Sequence, residues 1–143
     1  MSLPTPQLGL VLSYAYLWHH EHQAGLEEGR KDRPCVIVLA VTREDDRTMV
    51  TVVPITHRPP VDPSEAIELP PAVKRHLGLD AERSWVMVHE GNEFAWPGFD
   101  LRPIAGDKRR YDYGFLPPKL FRQIVTRLQA LWAADPARTI PRD

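Results

Sequence analysis

Two apolar runs constrain this chain more than anything else in it. PCVIVLAVT (34–42) and TMVTVVPIT (48–56) each have the length and β-branched content of a strand, and only REDDR (43–47) separates them. A polar link of five residues between two such runs predicts a β-hairpin. Because the runs are apolar with little alternation, the strands must be buried. Antiparallel pairing then brings Arg33, just before the first strand, and Thr56, at the end of the second, to the same end of the hairpin.

The other elements are short. GLVLSYAYLW (9–18) reads as a strand, with Leu10, Leu12, Tyr14 and Tyr16 in partial alternation. AIEL (66–69) and SWVMV (84–88) are further strands, and FDLRPI (99–104) is a weaker one after the turn-like WPG. PAVKRHLGL (71–79) predicts a short helix, started by proline and stopped by Gly78. In 117–135, Leu120, Phe121, Ile124, Val125, Leu128, Leu131 and Trp132 share one helical stripe, which predicts an amphipathic terminal helix. Fifteen prolines, about twice the usual ~5%, punctuate these elements firmly. The expectation is a single α+β, mainly β domain over residues 1–143: a small curled sheet or barrel, with loose ends at 1–7 and 136–143. A βαβ rhythm and a glycine-rich phosphate loop are both missing from the sequence, which disfavours Rossmann-like and P-loop folds.

A net charge of −1 gives no global attraction to nucleic acid, so any such site must be a local patch. The single cysteine, Cys35, rules out an internal disulfide framework, fits a reducing cytoplasm, and reads as a small core residue. The sequence contains no apolar stretch near the ~20 residues of a membrane span, and MSLPTPQLG lacks the form of a signal peptide. The expected location is the cytoplasm, away from membranes.

Several histidines need weighing. His19-His20-Glu21-His22 suggests a metal, since alternate residues of a strand share a face, but it lacks clear further ligands and reads better as a solvated strand end. His57 follows Thr56 at the sheet rim, His89-Glu90 ends another strand, and His76 reads as surface. RPIAGDKRRYDYG (102–114) is a basic cluster, with a net charge of +3 from Arg102 to Arg110 and Tyr111 and Tyr113 beside it. Cations next to aromatics suit single-stranded nucleic acid, through phosphate pairing and base stacking.

GRKDRPCVIVLA (29–40) ends an ionic, glycine-containing loop in Arg-Pro and a strand, and VTVVPITH (50–57) closes its partner in Pro-Ile-Thr. With GLVLSYAYL (9–17), SWVMVHE (84–90) and the closing helix, these segments resemble the PemK/MazF family of toxin endoribonucleases, in the family's order. The first loop is longer than is usual there, and EGNEFAWPGFDLRPI (90–104) departs from the family pattern.

The resemblance implies an SH3-like barrel that forms a homodimer, cuts single-stranded RNA without a metal or other cofactor, and is neutralised by an antitoxin peptide. The catalytic candidates are Arg33, Thr56, Glu28 and His57, and the RNA-binding candidates are Arg30, Lys31, Glu27, Lys108, Arg109 and Arg110. Arginine suits the phosphate because its planar fork donates two parallel hydrogen bonds, and Thr56 offers a hydroxyl to the same group. The proton acceptor is Glu28 or Glu27 by resemblance, and His57 by chemistry, with an unperturbed pKa of ~6.5 suited to the task. Two other readings stand beside this one: a non-catalytic SH3-like binding module, and a metal-binding protein built on His19, His20 and His22.

Overall fold

The computed structural model describes residues 3–23, 25, 31–134 and 139–142. Along the chain run β1 (Leu10–Ala15), α1 (His19–Gln23), β2 (Asp32–Thr42), β3 (Thr48–Thr56) and β4 (Ala66–Glu68). Then come α2 (Pro71–Leu77), β5 (Trp85–Met87), β6 (Gly91–Ala95), β7 (Asp112–Phe115), α3 (Pro118–Ala134) and β8 (Thr139–Pro141). The fold is α+β, mainly β: a largely antiparallel sheet of order β4-β5-β3-β2-β1-β7, curled into a half-barrel. One edge of β3 is shared, its start pairing with β6 and its end with β5.

The hairpin forms as the two apolar runs predict. β2 and β3 pair from Cys35↔Pro54 to Thr42↔Thr48, with a bulge between Ile37 and Leu39. The REDDR turn is closed by Arg43 N–H donating to Arg47 O at 2.7 Å, and Asp46 takes φ 64°, a conformation Asp tolerates better than most residues. Both faces of the hairpin are covered over Cys35–Val38 and Val50–Ile55, which explains the lack of alternation there, whereas Leu39 and Val41 nearer the turn are exposed. Val36 and Val53 join one core with Val11, Val86 and the α3 residues Leu120, Ile124 and Leu128. Their neighbours Ile37 and Val52 join another with Leu12, Tyr14, Tyr16 and Phe94. Cys35 is buried in this second core, where desolvation pushes its thiol pKa up.

α2 starts on Pro70-Pro71 and ends where Gly78 adopts φ 72°, donating its N–H to the carbonyls of Lys74 and Arg75. α3 places its stripe on the first core, and Trp132 Nε1 donates to Val88 O at 2.9 Å. Gly91 makes that approach possible: a Cβ there would lie 2.9 Å from the Trp132 ring.

Four expectations need correction. Residues 99–104 form no strand: Leu101 and Ile104 make isolated bridges only, because Pro103 has no N–H to give a ladder. β6 and β7 arise instead in segments that sequence patterning did not mark as strands. The tail is not loose at 139–142, since β8 pairs parallel with β6 and Arg142 Nε meets Asp100 Oδ2 at 2.9 Å in a buried ion pair. His19-His20-Glu21-His22 is no solvated strand end, because it forms α1 and buries Glu21. Helical residues two apart do not share a face, so the strand argument for a metal at His19, His20 and His22 falls away.

Candidate active site

The open ends of β2 and β3, the segment before β2, and the loops around α2 and β5 enclose a cleft of about 950 Å³. Arg33, Thr56, His57 and Lys31 all line it. Arg33 lies in β2, and its guanidinium rests 5.1 Å from the centre of the Trp18 ring. His20 stacks on Trp18 as well, with centroids 6.2 Å apart at 23°. Arg33 Nε is buried and has no hydrogen-bond partner among the described residues. Thr56 Oγ1 accepts the Arg58 N–H at 3.2 Å, which leaves its own O–H available to donate.

His57 is exposed and sits between two carboxylates. Its Nε2 lies 2.8 Å from Asp80 Oδ2, and its Nδ1 lies 3.3 Å from Glu82 Oε2. The hydrogen bond from Lys74 is the main reason the Asp80 carboxyl stays below its ordinary pKa, against a smaller opposing effect of burial. These three residues could offer ligand atoms within 4.8 Å of one another. Yet the two carboxylates face opposite nitrogens of the ring, and Asp80 already carries the Lys74 ammonium at 2.8 Å. The arrangement is an ion-pair network more than a cation cage.

The cleft also has a buried wall that sequence reasoning did not assign to the site. Glu90 Oε1 accepts from the Tyr16 hydroxyl and the His19 N–H, both at 3.0 Å, while Oε2 lies 3.2 Å from His89 Nε2. Burial pushes the Glu90 carboxyl up, but the His89 hydrogen bond and the charge and N–H of His19 outweigh it and leave it below its ordinary value. Next to it, the buried Asn92 side chain brackets Leu17, accepting its N–H and donating to its carbonyl at 2.8 Å each. Together they fix the chain where it leaves β1. Tyr113, half-buried, lines the same cleft, and burial raises its phenol.

The other candidates are distributed differently. Lys108, Arg109 and Arg110 are exposed on a turn rooted at Ile104 and Ala105, which line the cleft although the three cations do not. Glu27, Glu28 and Arg30 lie outside the described residues.

Residues 16–94, more than half of the chain, match the family model described as PemK-like, MazF-like toxin of type II toxin-antitoxin system. The chain belongs to this toxin family. The matched span encloses Arg33, Thr56, His57, Asp80 and Glu90, so the cleft is built chiefly from the part of this PemK/MazF-family chain that carries the match. A search of curated proteins returned no match. Among the described residues, no helix is long and apolar enough to cross a membrane.

Proposed function

We propose that this chain is a single-domain toxin of a toxin–antitoxin pair, acting in the cytoplasm as a metal-independent endoribonuclease on single-stranded mRNA. The observation that carries the reading is the convergence of Arg33, Thr56 and His57 on one cleft within the family-matched segment.

RNA contains its own nucleophile. The 2′-OH gives up its proton and attacks the adjacent phosphorus, the P–O5′ bond breaks, and the 5′-oxygen takes a proton. The products are a 2′,3′-cyclic phosphate and a 5′-OH. The protein has to hold the phosphate, stabilise the charge that develops on it, and move two protons. Arg33, rooted in β2 and backed by Trp18, clamps the phosphate, and Thr56 donates its hydroxyl to the same group. His57 serves one proton transfer and the loop acid, Glu27 or Glu28, the other. Lys31 and Arg30 face the RNA backbone, and Lys108, Arg109 and Arg110 extend the cationic path beyond the cleft. Family membership supports an antitoxin partner, which we place over the same cationic rim as a flexible acidic peptide, with the toxin itself a homodimer.

The test is incubation of the purified protein with a long single-stranded RNA in EDTA. Discrete fragments with 5′-OH ends are expected. RNA that is bound but intact would replace this reading with a non-catalytic binding module, and cleavage only on addition of a metal would overturn the metal-free chemistry.

A further inference from the structure

α2 buries an ammonium that the mechanism above does not use. Lys74 is 5% exposed, and a buried charge of this kind persists only where its donors are matched. Here they are: Nζ donates to Asp80 Oδ1 and Ser84 Oγ at 2.8 Å each, and to the Glu82 carbonyl. All three acceptors belong to the segment that follows the Gly78 cap, so Lys74 folds that segment back against its own helix.

The consequence falls on Asp80. Its Oδ1 is held from two directions, by Lys74 and by the Glu82 N–H at 3.1 Å. The carboxylate is thereby turned onto His57 Nε2, 23 positions earlier in the chain, with Oδ2 at 2.8 Å and Oδ1 at 3.1 Å. An exposed carboxylate usually swings freely; this one is fixed through Oδ1 and offers Oδ2 as the nearer oxygen to His57. A histidine with one ring nitrogen held by a fixed carboxylate has its tautomer and ring plane set, and its second nitrogen is left for chemistry. In His57 that second nitrogen, Nδ1, faces Glu82, a side chain 73% exposed that an incoming substrate can displace.

We propose that Asp80, clamped by the buried Lys74, is a positioning residue that orients His57 for proton transfer in the cleft. This rests on the nuclease reading for its catalytic half, whereas the clamp itself stands on geometry.

A double-mutant cycle tests it, using the full chain, a single-stranded RNA and EDTA throughout. Asp80→Asn is the probe because asparagine keeps an acceptor for Lys74, and a melting curve near the parent's checks the fold. His57→Ala should lower kcat about 100-fold, and Asp80→Asn about tenfold with KM within about twofold, both within the reach of lost or misdirected proton transfer. The double variant should be no slower than His57→Ala, since Asp80 acts only through the imidazole. A double variant a further tenfold slower would overturn the proposal. If the parent leaves RNA intact, the nuclease reading fails, and the ring ¹⁵N signals of His57 then test the clamp alone. They should move on Asp80→Asn; unmoved signals would refute the contact.

Discussion

Two histidine–carboxylate contacts border the same cleft and differ in almost everything else. At His89–Glu90 the carboxylate is buried and takes two further donors, from Tyr16 and the His19 backbone. At His57–Asp80 both side chains are roughly half exposed, and the second nitrogen of the imidazole faces an exposed surface acid, Glu82. Both pair an imidazole with a carboxylate, Glu90 in one and Asp80 in the other, and burial is the main difference in their surroundings. A buried carboxylate that already has three partners holds chain segments together and has little left to offer a substrate. An exposed pair tethered from behind costs little to build and keeps one nitrogen accessible. On the proposed function, the first belongs to the scaffold and the second to the chemistry.

That contrast breaks most visibly at Glu90. Glu90→Ala leaves the Tyr16 hydroxyl and the His19 N–H without their acceptor, and should cost about 3 kcal/mol, or roughly 10 °C in melting temperature. An unchanged melting curve would dissolve the distinction between the two pairs. Asn92→Ala, which unpairs both backbone groups of Leu17, should cost about 2 kcal/mol by denaturant titration, and a loss under 0.5 kcal/mol would contradict the anchoring role.

Acid sharpens the comparison. Glu90 is held below its ordinary value of 4.5, so its ionised form stabilises the fold fully above that pH and the contribution fades as pH falls through the lowered folded value. The Glu90 contribution that separates parent from Glu90→Gln should therefore be fully present above 4.5 and vanish as pH falls through the lowered folded value. A gap that widens in acid would reverse the sign assigned to this group. The smallest stability effect belongs to the exposed pair: His57→Ala should unfold within about 0.5 kcal/mol of the parent while losing RNA cleavage. A large loss of stability there would make His57 part of the scaffold.

The sequence reveals what is local and hides what is assembled. The β2–β3 hairpin is legible because apolar runs and a short polar link need no distant partner, and α2 and α3 because proline starts, a glycine stop and an apolar stripe are written in order. GNEFA and DYGF are strands only because Met49–Val52 and Leu10–Leu12 offer them edges, so polar residues and glycine conceal them. FDLRPI has strand composition and yet Pro103 denies it a ladder. The proximity of Arg33 and Thr56 follows from antiparallel geometry alone. Lys74, Asp80 and Glu90 carry no such signal. A lysine on a short helix and an aspartate in a loop read as surface, and only tertiary contact turns them into the support of His57.

Arg33→Lys probes whether Arg33 clamps a phosphate. The variant keeps the charge but loses the two-pronged geometry, and a hydrogen bond formed mainly in the transition state is worth about 2–4 kcal/mol. The measurement is the single-turnover cleavage rate of one RNA in EDTA, beside the melting curve of the same sample. The variant should unfold within about 1 kcal/mol of the parent, since only the stacking on Trp18 is weakened, and cleave at least tenfold more slowly, with Thr56→Ala behaving similarly but more mildly. A lysine variant that cleaves at the parent's rate would remove Arg33 from the mechanism.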